Sequence, residues 1–143
     1  MLKDSIYFLA ADTAKHLSLQ QAKAAVPYFD FAPLQNAAMA LQKTTDSLHK
    51  MLMKADKSSS SDVLNKALYQ AEQQLLLPQG LPRRPWYRHA IYAPGFYTGY
   101  GVKTLPGIRE AIEQRNWTEA QTEIELAADA ISKLNTYLLQ LRG

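Results

Sequence analysis

The sequence of 143 residues contains no cysteine and begins without a long hydrophobic run. Without cysteine there can be no disulfide framework, no thiolate zinc site and no cysteine nucleophile. The apolar run near the start covers only the residues from Ile6 to Ala11, and Asp4 and Asp12 flank it. This run is too short to span a membrane and is wrongly flanked for a signal peptide, so we expect a soluble chain.

The short motifs that mark common active sites are missing as well. The three histidines, His16, His49 and His89, are too far apart for a helical metal pair, and neither HExxH nor GxSxG occurs. His89 could act as a base, but a lone histidine is more often a hydrogen-bonded structural residue. The residues alone therefore predict no catalytic group and no metal site in this chain.

Four segments repeat apolar residues at the spacing of an amphipathic helix. A weak stripe from Leu2 to Leu17 predicts a first helix. Residues 31–54 predict a second helix with Asp30 as its N-cap, and residues 62–77 predict a third. The stripe of the second helix consists of Leu34, Ala38, Leu41, Thr45, Leu48 and Leu52.

The longest stripe begins at Trp117, which we expect to cover one end of the fold, and continues to Leu141. Asn116 is predicted to cap this helix rather than to be glycosylated, because Trp117 already belongs to the stripe. Three early carboxylates are predicted to lie on its solvated face and to favour the helix dipole: Glu119, Glu123 and Glu125. The four helices predict one all-α domain over residues 1–143, an up-and-down four-helix bundle.

Residues 78–104, between the third and fourth predicted helices, form a long loop rich in proline, glycine and aromatic residues. Six aromatic rings and three glycines fall between Trp86 and Gly101. Loops of this length are usually functional or disordered. The high aromatic content argues for an ordered loop that its side chains hold in place.

The net charge of +3 is concentrated in the middle of the chain, where residues 58–104 contain five basic and two acidic side chains. A mildly cationic loop favours an anionic partner, either a nucleic acid or a ligand with a carboxylate. Two classes of function are open from the residues alone. One is a helical interaction or dimerisation module; the other, for which the charge is small, is a nucleic-acid binder that uses Arg83, Arg84 and Arg88 beside stacking tyrosines.

Several short motifs follow one another in a specific order. They are Gly80-Leu81-Pro82, Tyr87-Arg88-His89, Ile91-Tyr92-Ala93-Pro94, Tyr100 and Leu105-Pro106-Gly107-Ile108, followed by Trp117-x-Glu119 with Ile124. In this order they resemble the C-terminal helical domain of the glutamate carboxypeptidase II and transferrin receptor family, the transferrin-receptor-like dimerisation domain. Asp30-x-x-x-Leu34-x-x-Ala37 is similar to an earlier helix of that domain.

The resemblance implies a helical bundle beside a zinc peptidase domain, where the bundle mediates homodimerisation and lends a loop to the substrate pocket. The zinc would be bound by the peptidase domain, and the parent protein would be extracytoplasmic. In the glutamate carboxypeptidase branch a lysine-tyrosine pair of this loop meets the C-terminal residue of an acidic peptide substrate. Tyr100 takes the tyrosine place and Gly99 the lysine place, so the resemblance does not extend to the lysine. Because the transferrin receptor branch has lost catalysis, a free-standing interaction module is the alternative.

Overall fold

The computed structural model describes residues 23–54 and 61–141. In chain order these contain helix α1 (Ala32–Leu52), helix α2 (Ser61–Ala71), a 3-10 turn (Glu72–Leu75), strands β1 (Tyr92–Pro94) and β2 (Val102–Thr104), helix α3 (Pro106–Glu113) and helix α4 (Trp117–Gln140). The chain is mostly helical, as predicted. The predicted helix from Leu2 to Leu17 lies outside the described residues, so the bundle of four helices stays a prediction.

Helix α1 begins where the sequence predicts. Pro33 stands in its first turn, where the missing N–H has no partner to lose. Although Phe31 is the N-cap residue, Asp30 Oδ1 accepts a hydrogen bond from the N–H of Ala32 at 2.9 Å. The N–H of Asp30 donates to Gln121 Oε1 at 3.1 Å, which ties the start of α1 to α4.

The face that α1 turns toward α4 differs from the predicted stripe. Ala37, Thr44 and Leu48 are buried, whereas Ala38 and Thr45 of the predicted stripe are exposed. Neighbouring residues are rotated by about 100° around a helix, so an error of one position moves a side chain off the contact line. At two of its six positions, the predicted stripe therefore names the residue that follows the buried one.

Helix α4 is the central element of the described fold, because α1, α3 and the 3-10 turn all pack against it. Asn116 caps it as predicted: its Oδ1 accepts from the N–H of Glu119 at 3.2 Å, and its Nδ2 donates to the Glu119 carboxylate at 3.0 Å. All members of the predicted stripe are buried or half-buried, namely Trp117, Ala120, Ile124, Ala127, Ile131, Leu134, Leu138 and Leu141. No helix among the described residues is both long and apolar enough to cross a membrane.

Helix α2 ends earlier than the predicted limit of residue 77. After Ala71 the backbone tightens into the 3-10 turn and then becomes extended. The N–H of Leu77 donates to the carbonyl of Arg88 at 2.7 Å, and the N–H of Ala90 donates to that of Leu75 at 2.9 Å. These backbone groups pair with the following loop, and this pairing replaces another helical turn.

The loop between the 3-10 turn and α3 contains a short antiparallel ribbon, which the all-α prediction left out. In this ribbon β1 and β2 pair Ala93 with Lys103 at their centres. Strands of three residues are too short for an alternating pattern to stand out in a sequence. Helix α3, also not predicted, follows after Leu105, which has a left-handed backbone with φ 49°.

The core consists of two clusters of apolar side chains that share α4. One cluster joins α4 to the loop and to β1, and its buried members are Leu77, Leu81, Ala90, Ala93 and Ala130. The other joins α4 to α3 and to the start of α1, and its buried members are Ile108, Ile124 and Ala127. The ribbon is thus attached to the long helix by apolar burial, which is the main source of stability in a fold of this size.

Candidate functional site

The candidate site is the tip of the ribbon, residues 95–101. Its backbone closes on itself, since the N–H of Gly95 donates to the carbonyl of Gly101 and the N–H of Gly99 donates to that of Gly95, both at 2.9 Å. Gly99 has φ +66°, the left-handed conformation that glycine adopts without a steric penalty. Tyr100 follows it directly, with its N–H bonded to the carbonyl of Thr98 at 2.7 Å.

Aromatic side chains at the tip point into solvent. Tyr100 is 100% exposed, and Tyr97 and Trp86 are 71% and 72% exposed. A side chain added at Gly99 would likewise meet nothing within 4 Å. Tyr100 and Gly99, the two substrate-binding residues that the resemblance implies, thus stand side by side on a surface that is unusually rich in exposed rings.

Lys103 is the only cationic residue between Gly95 and Thr104. It lies on β2, and its ammonium group forms an ion pair with the carboxylate of Glu113 on α3. Its side chain is only 15% exposed. Lys103 therefore does not present its charge at the tip, where the resemblance implies a lysine in the acidic-specific branch.

Two consecutive arginines hold the base of the loop. Nη2 of Arg84 donates to both carboxylate oxygens of Glu110 of α3, at 2.7 and 2.8 Å. Arg83 forms a bidentate ion pair with Glu119 of α4, in which Nη1 and Nη2 each donate to one oxygen, at 2.9 and 2.8 Å. Arg88 donates to a backbone carbonyl at 3.1 Å. The arginines considered for nucleic-acid binding are thus engaged within the fold. Sequence reasoning missed the pair of Arg84 and Glu110, which are 26 residues apart.

His89 is hydrogen-bonded within the fold, as the structural interpretation predicts. Its Nδ1 accepts from the N–H groups of Ile91 at 3.2 Å and Tyr92 at 3.3 Å, which assigns the ring proton to Nε2. Burial lowers the pKa of His89, and the nearby Glu72 carboxylate opposes this effect. The imidazole is therefore mainly neutral at pH 7, and its hydrogen bonds hold the backbone that leads into β1.

The solvated face predicted for three carboxylates of α4 is correct for Glu125 and wrong for Glu123. Glu123 is buried, and its carboxylate lies against Gly107 at the start of α3. Burial raises the pKa of Glu123 to about 7; the negative charge of Glu119 adds to the rise and Arg83 opposes it. Glu123 is buried because α3 packs over it. Helix α3 is not predicted from the sequence, which therefore gives no sign of this burial.

A metal ion finds no evident binding site in this part of the protein. Within residues 23–54 and 61–141, no three His, Asp or Glu side chains come close enough together to bind one. The resemblance assigns the zinc to a separate peptidase domain, so it implies no zinc ligands among these residues.

Comparison with known proteins places this geometry in context. The family model of the transferrin receptor-like dimerisation domain matches residues 29–139. A "probable glutamate carboxypeptidase" of Arthroderma benhamiae is 34% identical over 109 residues, which are 73% of this chain and 15% of that protein. A second one, from Arabidopsis thaliana, is 39% identical over 75 residues, which are 48% of this chain and 11% of that protein.

A third relative, a "probable glutamate carboxypeptidase" of Zea mays, is 30% identical over 95 residues, or 65% of this chain and 13% of that protein. The chain therefore spans at most 15% of the length of the curated relatives that it matches here. The matched family segment contains the whole ribbon, both arginine pairs and all of α4 except Gln140.

Proposed function

This chain belongs to the transferrin receptor-like dimerisation domain family, and from this membership we propose that it is the helical dimerisation part of a zinc-dependent, glutamate carboxypeptidase-like peptidase. In this role it mediates homodimerisation and lends the tip of its ribbon to the substrate pocket. The zinc and the catalytic groups belong to the peptidase domain.

The exposure of Tyr100 is the observation that carries the pocket proposal. Tyr100 is 100% exposed, although hydrogen bonds close the backbone around it. The base of the tip is bonded to α3 through the N–H of Phe96. A phenol can donate a hydrogen bond to a carboxylate without carrying charge itself. Tyr100 is therefore suited to meet the C-terminal carboxylate of a peptide that is bound in the adjacent domain.

The substrate preference follows from the charges at the tip. Gly99 supplies no ammonium group where the acidic-specific relatives have a lysine, and Lys103 is paired with Glu113. A side-chain carboxylate of the substrate would lose its water without gaining a charged partner here. Peptides that end in an uncharged residue are thus the expected substrates, in preference to peptides that end in Glu or Asp.

The test of the pocket uses two tyrosines of one loop. In the peptidase that contains this segment, we expect Tyr100→Phe to weaken transition-state binding of dipeptides by about 1–3 kcal/mol in kcat/KM, because one ligand oxygen loses its donor. The melting temperature should not change. Tyr97→Phe, which removes the hydroxyl of a ring that is 71% exposed, is the matched control and should leave kcat/KM unchanged. If Tyr100→Phe lowers the melting temperature but leaves kcat/KM unchanged, Tyr100 is a packing residue and does not contact the substrate.

Homodimerisation is tested on the chain itself. Exposed large apolar side chains occur on α1, α2 and α4 within the described part, including Met39, Leu68 and Leu139. Single exposed apolar side chains are normal on a monomer, so the support for homodimerisation comes from the family membership. Light scattering on a sizing column, over a series of concentrations, should give twice the monomer mass. A monomer at the highest concentration would argue against dimerisation by this domain alone.

Because the proposal assigns the zinc and the catalytic groups to the peptidase domain, it also predicts that this chain alone has no peptidase activity. Zinc-supplemented assays with a panel of dipeptides should give no turnover. Hydrolysis by the pure chain that responds to substitutions within it would overturn the assignment of catalysis to another domain.

A further inference from the structure

Arg84 connects the base of the loop to α3 in a way that sets the loop's position. Its Nη2 donates to both carboxylate oxygens of Glu110, where both side chains are only 3% exposed, and its Nη1 donates to the carbonyl of Pro94. The same carboxylate accepts from the N–H of Phe96 at 2.8 Å. One buried ion pair therefore binds the loop backbone on both sides of Gly95, where the tip begins.

The ring of Phe96 is held in place by Arg84 together with Arg83 and Tyr97. The Cζ atoms of Arg83 and Arg84 lie 5.8 and 5.7 Å from its centroid, and Tyr97 packs against it edge-on with the ring centroids 4.9 Å apart. Guanidinium groups at this distance from an aromatic ring are attracted to it electrostatically. The orientation of the Phe96 side chain is thus fixed together with its backbone.

Stability alone does not account for an ion pair at this place. Burying two charges costs nearly as much desolvation energy as the pair returns, and apolar residues of similar volume often stabilise a fold as well or better. An apolar pair could not, however, bond the Pro94 carbonyl and the Phe96 N–H in fixed directions. The distinctive contribution of the pair is therefore the geometry of the loop.

We propose that Arg84 is a positioning residue for the substrate pocket, which acts through Glu110, Pro94 and Phe96 to fix where Tyr100 stands. This inference rests on the proposed function, because it requires Tyr100 to face the substrate. Arg84 does not touch the substrate. Displacing Tyr100 by about 1 Å would reduce the efficiency of the enzyme by up to about 100-fold, since binding groups must meet the substrate in the correct geometry.

The test separates positioning from stability by replacing the ion pair with an apolar pair. The double variant Arg84→Met/Glu110→Leu in the intact peptidase should remain folded but lack the bonds to Pro94 and Phe96. We expect its KM to rise about 10-fold with kcat within about twofold, because binding is lost while the catalytic groups are untouched. A merely structural role predicts the reverse pattern, in which fewer active molecules lower kcat and KM is unchanged.

Two controls accompany this variant. Arg88→Lys changes an arginine that bonds a different carbonyl, and Trp117→Ala lowers stability at a ring that packs against Phe29 and Arg115. Neither should change KM. Hydrogen exchange provides a readout without substrate: the Phe96 amide should lose protection in the double variant and keep it in Arg88→Lys.

The outcomes distinguish this inference from the function on which it rests. If Tyr100→Phe changes kcat/KM and the folded double variant keeps the KM of the wild type, the positioning role of Arg84 is wrong and the pocket assignment stands. If Tyr100→Phe has no kinetic effect, the pocket assignment itself is wrong. A raised KM in the double variant, with Phe96 unprotected and both controls normal, supports the role of Arg84.

Discussion

The carboxylate of Glu123 occupies the space that a β-carbon at Gly107 would need. Glu123 belongs to α4 and Gly107 to the first turn of α3, so this contact sets how closely the two helices approach. Both residues are buried. The absence of a side chain at position 107 is thus a packing requirement.

Gly107→Ala is expected to lower the free energy of unfolding by about 1–3 kcal/mol, because the new methyl group must displace a buried carboxylate. Urea denaturation measures the change. Gly101→Ala is the matched control: its β-carbon would lie 3.7 Å from Thr98 Oγ1, an ordinary contact. Equal losses at the two glycines would contradict the packing explanation, and a second substitution, Glu123→Ala, should recover part of the loss at Gly107.

The stability of the protein should depend on the ionisation of Glu123. Its pKa is raised from 4.5 to about 7, mainly by burial. Because the folded chain binds this proton more tightly than the unfolded chain, the contribution of Glu123 to the free energy of unfolding is largest below about pH 4.5. It decreases as the pH rises to about 7 and is then constant.

Glu123→Gln, which is uncharged at every pH, should remove this dependence. At pH 8 we expect the variant to be more stable than the wild type by about 1–2 kcal/mol, less than the full shift implies because the carboxylate retains some contact with water. Thermal unfolding between pH 4 and pH 8 measures it. Glu125→Gln, at an exposed position of the same helix, should keep the pH dependence of the wild type. A variant Glu123→Gln that keeps it too would show that another group titrates.

Trp117 is predicted to contribute less than a fully buried tryptophan. The structure places its ring 6.1 Å from that of Phe29, with the Arg115 guanidinium 5.1 Å from its centroid, and leaves it half-buried. For a fully buried tryptophan, Trp117→Ala would lower the free energy of unfolding by about 3–5 kcal/mol. Because the ring is only half-buried, we expect a loss of about 2 kcal/mol. Trp86→Ala, at a ring that is 72% exposed, should leave the melting temperature nearly unchanged. If Trp86→Ala lowers the melting temperature more than Trp117→Ala does, the loop tryptophan contributes more to stability than Trp117, contrary to this prediction.

Gly99→Lys should add the charge that the tip lacks. The new side chain would enter open space, but its backbone must keep φ near +66°, at a cost of about 1–2 kcal/mol in stability. In the peptidase we expect a higher kcat/KM for dipeptides ending in Glu or Asp relative to those ending in Ala or Leu. Gly99→Gln, with a similar length and no charge, is the control. An equal change of preference in both variants would exclude a charge effect.

Helices α1, α2 and α4 could be predicted because their signals are local. The stripe of α4 repeats within each turn, and the Asn116 cap depends on a residue only three positions away, so both are visible in the sequence. The end of α2 was misplaced because the backbone of Leu77 pairs with Arg88, across the loop. Contacts between distant segments decide where a weak helix stops, and periodicity contains no information about them.

The candidate site was predicted only in part for the same reason. Tyr100 and Gly99 are assigned to the site only by the resemblance of the motif around them, and this assignment stays a prediction. Arg84 gave no sign of its partner, since Glu110 lies 26 residues further along the chain. The fold of α3 against the loop brings the two together. A charged residue in a loop normally indicates a solvated position, and only the packed structure shows that this one is buried.

The tip of the ribbon contributes no side chain to either core cluster, although its base is firmly bonded to α3. Substitution of Tyr100 therefore costs the fold little, whereas Gly99 is constrained by its left-handed backbone alone. Under the proposed pocket role, lineages that share this scaffold can change their substrate preference by single codon changes at the tip. Divergence of specificity within the family would then proceed faster than divergence of the helices that support it.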